Sequence, residues 1–328
     1  MVQELDGYSQ DYLRVWNAKA TVRGMPRFRV SEIAQAHNLF PETLQPLARH
    51  EAVRALGEDA LRELLIRTAC SWQIDVAALE IDVVTELCGR LANRPVGFVL
   101  PDAARHVALT IATDEAYHAY VAREFVADTV RISGVTPAVR TVDTPPIVKA
   151  LEKVRLAAPA GLQREADIMV LCFAENFVVE ELFGLSRNVA PDDPFRIVVR
   201  EHLIDEGRHQ VFFQRLLRHM WWGLDEEART ALGQLVPVFL DAMFLDRAYY
   251  AESYVDILQT LGFDRESGRR LVGEAYAAEY GAWDGRKTGL KIAARSLNLV
   301  DVAGLADHPP TRALLVASGW ADGEPGEP

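Results

Sequence analysis

Along most of the chain, apolar residues recur three and four positions apart, and the strict alternation of a half-buried strand is nearly absent. The pattern predicts helices over about 58–91, 101–133, 147–156, 159–187 and 194–223. Further helices are expected at about 225–261, 264–280, 284–297 and 310–318. Pro101 and Pro194 each sit in a first helical turn, where a missing N–H costs nothing, and Asp192-Asp193 before Pro194 is an acidic cap. Residues 135–146 hold three prolines and read as a crossover between two helical pairs. The expected architecture is all-α and a single domain over 1–328. It has an irregular arm (1–57), a four-helix bundle (58–223), helices packed around it (224–320) and a disordered tail (321–328).

Composition narrows the partners. At 328 residues with 49% hydrophobic and 25% charged positions, the chain can bury a sizeable core. A net charge of −12 argues against nucleic acid or an anionic membrane surface as the main partner. No stretch approaches the roughly 20 uninterrupted apolar residues of a membrane span, and no basic-then-apolar leader is visible at the N-terminus. Cys70, Cys88 and Cys172 are odd in number, fall in helical segments and read as reduced core thiols. A cytoplasmic protein is expected.

The chemistry lies in a repeated constellation. Glu80 precedes Asp114-Glu115-x-x-His118, and Glu175 precedes Asp205-Glu206-x-x-His209, with His202 one turn before Glu206. Residues three and four apart share a helix face, so each Glu-x-x-His can reach one metal pair, and His202, Glu206 and His209 form a single stripe. One Glu-x-x-His is a common accident on solvated helices; two, each with a Glu about 30 residues upstream on another helix, are not. Glu80 shares its face with Val76, Val83, Val84 and Leu87, and Glu175 with Ile168, Leu171 and Cys172. A carboxylate in such a stripe must be paired or bind a metal. Glu181 also has apolar neighbours, but the spacing to Glu206 favours Glu175.

Four carboxylates and three imidazoles without cysteine suit iron or manganese rather than structural zinc. Glu115 and Glu206 are expected to bridge two ions. Glu80 and His118 would complete one of them, and Glu175, His202 and His209 the other. Asp114 and Asp205 are read as carboxylates that take the outer N–H of a histidine from the opposite half, with solvated helix positions as their alternative.

The spacing from Glu80 through Glu115, His118, Glu175, His202 and Glu206 to His209 resembles that of the diiron N-oxygenases typified by p-aminobenzoate N-oxygenase. All seven family ligand positions find a matching residue here, over roughly 72–215. The resemblance implies a ferritin-like fold and two iron ions per chain. It also implies activation of O2 and oxidation of a primary amine, foremost an arylamine, through hydroxylamine and nitroso to nitro stages in secondary metabolism. Electrons must come from an external reductase or reductant, since no flavin or nicotinamide fingerprint is present. A homodimer is expected.

Other readings fit less well. Ribonucleotide reductase small subunits resemble the site, but their radical tyrosine position is Ala122 here; Tyr117 and Tyr120 are nearby but out of place. Acyl desaturases carry Glu-Glu-x-x-His where both copies here are Asp-Glu-x-x-His. A C–H hydroxylase or desaturase on the same site is the main alternative, and an iron store, which would not need His202, the lesser one. Trp72, Gln73, Val76, Phe173, Asn176 and Phe177 lie within two turns of Glu80 or Glu175 and are candidates for a substrate pocket, with ordinary core as the alternative. A carboxylated amine would want a cation there, and Arg196 and Arg295 are among the candidates.

Overall fold

The computed structural model describes residues 1–24, 29–30, 39–187 and 194–322, and the side chains of 178–187 are outside that description. The acidic cap at 192–193, the side chain of Glu181 and residues 323–328 of the expected tail therefore fall outside it. Helices α1 (Val2–Lys19) and α2 (Thr21–Gly24) form the arm, so the first element is longer than the short helix expected. The bundle follows as α3 (Glu58–Leu79), a π-helical segment (Glu80–Thr85), α4 (Glu86–Asn93), α5 (Asp102–Ser133), α6 (Pro146–Ala157), α7 (Gln163–Arg187) and α8 (Pro194–Gly223). Around it lie α9 (Glu226–Gly233), α10 (Leu235–Phe244), α11 (Ala248–Thr260), α12 (Arg265–Tyr280), α13 (Gly285–Ile292), α14 (Ala294–Val302) and α15 (Pro309–Ala317). No strand occurs among the described residues, and the fold is all-α, a ferritin-like bundle.

Local chemistry sets the helix ends. Gly134, at φ +73°, closes α5 by donating its N–H to the Val130 carbonyl at 2.9 Å. Asp225 caps α9 and Asp264 caps α12, each accepting the N–H three residues on. The crossover after α5 is pinned rather than loose. Thr141 bonds Asp256 through its N–H at 2.8 Å, and Arg140 bonds the Ser71 carbonyl at 2.8 Å and pairs with Asp75.

Two expectations need correction. The helix expected over 58–91 is interrupted by a π-helical segment at Glu80, where Ile81, Val83, Val84 and Thr85 crowd four β-branched side chains into five positions. The long helix expected over 225–261 breaks into α9, α10 and α11. This stretch has an 18-residue window of mean hydropathy 1.2, enough in composition for a membrane span, yet Leu232, Leu235, Val236, Phe239 and Leu240 are buried against the bundle.

The core has two large parts. One gathers α4, the first half of α5, α7, the second half of α8 and α10; the other gathers 39–70, the second half of α5, the first half of α8, α11 and α12. Between them runs a polar layer on the inward faces of the bundle, and all seven residues of the constellation lie there.

Candidate metal centre

Helices α5 and α8 run antiparallel across this layer: His118 contacts Asp205 and His209 contacts Asp114, so numbers rise on one helix as they fall on the other. That register makes the two Asp-Glu-x-x-His copies meet head to tail. Glu115 and Glu206 lie at the centre, Glu80 comes in from the π-helical segment and Glu175 from α7. All seven side chains are buried.

Donor atoms converge in two groups of four. Glu115, His118, His202 and Glu206 offer one ligand atom each, all within 4.8 Å of one another. Glu115, Glu175, Glu206 and His209 do the same, so Glu115 and Glu206 belong to both. Glu80 joins the first group through His202, its Oε1 lying 3.3 Å from Nε2. The expected partition placed His202 with Glu175 and His209, and here the structure differs. The His202 ring lies against that of His118 at 4.0 Å between centroids, tilted by 37°, and Nε2 lies 3.0 Å from Glu206 Oε1. Antiparallel packing is the reason: moving back one turn from Glu206 is moving forward one turn from Glu115, towards His118.

Whether the set fits metal ions can be judged from its unpaired atoms. Glu80 Oε1, Glu115 Oε1, Glu175 Oε2 and His209 Nδ1 are buried and lack a hydrogen-bond partner. His209 Nδ1 and Glu115 Oε1 approach to 2.6 Å without hydrogen-bond geometry, so lone pairs converge on a common point. Orphaned buried carboxylate oxygens are costly, and a pair of divalent cations would satisfy them. The all-oxygen-and-nitrogen donor set matches iron or manganese.

Electrostatics agree. Burial, reinforced by Glu115, raises Glu80 to about 8, and burial with Glu206 and Glu115 nearby pushes Glu175 well up. Burial opposes ionisation of Glu115 and Glu206 too, but there the adjacent histidines win and both carboxyls are lowered. The three imidazoles feel the reverse: burial disfavours their cations, and the surrounding carboxylates raise all three nonetheless.

The two aspartates sit at the outer nitrogens of two histidines. His118 Nε2 is 3.3 Å from Asp205 Oδ2, and His209 Nε2 is 3.2 Å from Asp114 Oδ2, each reaching across to the opposite helix. Sequence reasoning missed what holds the aspartates. Trp16 donates its indole N–H to Asp114 at 2.9 Å, Thr21 bonds Asp205, and Arg208 pairs with Asp205. Tyr12, also on α1, is buried near His209 and Asp114, its hydroxyl raised by burial and without a hydrogen-bond partner among the described residues. No local motif marks these arm residues. Tyr120 is 51% exposed; Tyr117 packs near it and lines a small cleft together with His118 and His202.

Beside the centre is a cavity of about 310 Å3. Its wall includes Val76 and Leu79, just before Glu80, and Ala174 and Phe177, which flank Glu175. Trp72, Tyr250, Tyr254 and Tyr276 give it aromatic sides. Of the expected pocket residues, Trp72, Val76 and Phe177 line it, and Gln73 lines a small cleft against His118 and His202. Phe173 and Asn176 do not. Phe173 stacks on Phe239 in the core, and Asn176 is spent on the Arg295 carbonyl and on Gln210 and Gln214. Arg196 and Arg295 do not line it either; among the described lining residues Arg247 is the cation, its guanidinium 4.8 Å from the Trp283 ring centroid.

An antiparallel four-helix bundle with a shared-carboxylate cluster at mid-height defines a ferritin-like protein with a candidate two-metal site. The family model for P-aminobenzoate N-oxygenase AurF matches residues 29–275, and the chain belongs to that family. A comparison with curated proteins found no match.

Proposed function

We propose that this chain is a diiron oxygenase that N-oxygenates a primary amine, foremost an arylamine, in secondary metabolism. The observation that carries the reading is the pair of donor groups sharing Glu115 and Glu206, with buried oxygens that have no other partner. Glu80, His118 and His202 would hold one iron, Glu175 and His209 the other, and Glu115 and Glu206 both. A bound iron pair supplies the redox chemistry that O2 needs. Forming a hydroxylamine and water from an amine and O2 consumes two electrons and two protons, so an external reductant is part of the proposal.

The chain's own residues would do the rest. Val76, Leu79, Ala174 and Phe177 would give the cavity an apolar wall on the side of Glu80 and Glu175, and the tyrosines with Trp72 would offer faces for an aromatic ring. Arg247 would hold an anionic group at the far end of the substrate from the amine. Replacing Arg247 with Ala should raise KM about tenfold or more for a carboxylated arylamine and much less for an uncharged one. Equal effects on both would remove Arg247 from substrate binding. The reaction class is tested by exposing reduced, iron-loaded protein to O2 with a panel of aryl and alkyl amines and analysing products by mass spectrometry. N-oxygenated products support the proposal. Oxidation of hydrocarbon or alcohol substrates with every amine inert would replace it with a hydroxylase or desaturase, and iron mineralisation alone with storage.

A further inference from the structure

The arm carries chemistry that the family match, beginning at residue 29, does not include. Within one turn and a half of chain, α1 and α2 place a donor on each of the two aspartates behind the metal-facing histidines. Trp16 Nε1 lies 2.9 Å from both Asp114 oxygens. The Thr21 hydroxyl bonds Asp205 Oδ2, and the Thr21 N–H points at the same carboxylate from 3.3 Å. Asp114 in turn meets His209 Nε2, and Asp205 meets His118 Nε2. The two chains of contacts are separate: Trp16 to Asp114 to His209 leads to the donor group with Glu175, and Thr21 to Asp205 to His118 to the group with His202.

We propose that Trp16 and Thr21 are positioning residues, each setting the affinity of one of the two metal ions. A carboxylate behind a ligand histidine fixes its tautomer and ring orientation and makes it more basic, but only if the carboxylate itself is held. An indole N–H shared between both oxygens holds Asp114 in one plane. A hydroxyl together with a backbone N–H does the same for Asp205, with Arg208 alongside. Because the donors come from the arm, the arm's packing on α5 and α8 is coupled to the metal centre. This inference rests on the two-metal reading above but not on the reaction assigned to it.

The test is a cobalt(II) titration of metal-free protein, read by the d–d absorbance of each bound ion and requiring no turnover. Wild type should fill in two steps. His209→Ala, which deletes a candidate ligand, identifies the step that belongs to the Glu175 side. Trp16→Phe keeps the aromatic packing and loses the N–H; it should weaken that same step about tenfold or more and leave the other near wild type. Thr21→Val should weaken the other step by a similar factor, and Thr21→Ser, which keeps the hydroxyl, should restore it. Circular dichroism and melting of the metal-free variants should match wild type. Unchanged affinities in Trp16→Phe and Thr21→Val would overturn the inference, as would equal weakening of both steps in either variant, which a merely structural role predicts. Thr21→Ser as weak as Thr21→Val would overturn the part assigned to the hydroxyl. Wild-type protein that takes up no cobalt would instead overturn the two-metal reading, and this inference with it.

Discussion

Protons and the proposed metal ions would compete for the same seven side chains. In the metal-free protein Glu80 and Glu175 are raised by burial and by neighbouring carboxylates, and the three histidines are raised by the carboxylates around them. A group whose folded pKa lies above its unfolded value stabilises the fold fully below the unfolded pKa and ceases to do so as pH rises through the folded one. For Glu80 that window runs from 4.5 to about 8. Glu115, Glu206 and Asp205 are lowered, so their contribution is already complete above ordinary carboxylate pKa values and stays constant across it. The melting temperature of metal-free protein should therefore fall between about pH 5 and about pH 8. Metal loading should reverse the trend, because ligands must shed protons to bind, and it should release protons into a weakly buffered solution. Differential scanning calorimetry of both forms against pH checks the crossing, and parallel curves would contradict it. The seven residues themselves were legible in the sequence because each pairs a polar identity with an apolar phase. The grouping of His202 was not, since it depends on the antiparallel register of α5 against α8, a relation between helices that no single helix records. Phe173 and Asn176 lie close to Glu175 in number, but what each meets, Phe239 for one and the Arg295 carbonyl for the other, is set by neighbouring helices that α7 does not record.

Helix periodicity located α5, α7 and α8 closely because prolines and glycines punctuate them. The π-helical segment at Glu80 escaped, as its apolar positions Val83 and Val84 fit a buried stripe under either winding. Likewise the role of α1 could not be read from its own pattern: it lies in Tyr12 and Trp16, and the groups they sit against are about 100 residues or more away in the chain. The end of α5 offers a direct test of how far element geometry matters to the site. At Gly134 a side chain would be forced into the left-handed region, so Gly134→Ala should cost about 1 kcal/mol of stability. Urea unfolding would read that loss, while metal stoichiometry should remain as in wild type, because the constraint lies more than three turns beyond His118. A loss of metal from this variant would mean that the crossover after α5, pinned by Thr141 and Arg140, controls the centre as well.

At the scale of the molecule, the two apolar clusters on either side of the polar layer hold the four ligand-bearing helices at a fixed spacing, while the carboxylates between them are individually unfavourable. The all-α class, the bundle and its surrounding helices could be read from periodicity. The three-way break of the helix after α8, the cavity it helps to close and the arrival of Arg247 there are products of packing, which sequence pattern does not encode. The central claim is a pair of ions sharing Glu115 and Glu206, and metal content after anaerobic ferrous loading and desalting tests it most directly. The account predicts two irons per chain in wild type and none retained by a folded Glu115→Ala/Glu206→Ala double variant. Wild type holding one iron or none, or a double variant that still holds two, would contradict it.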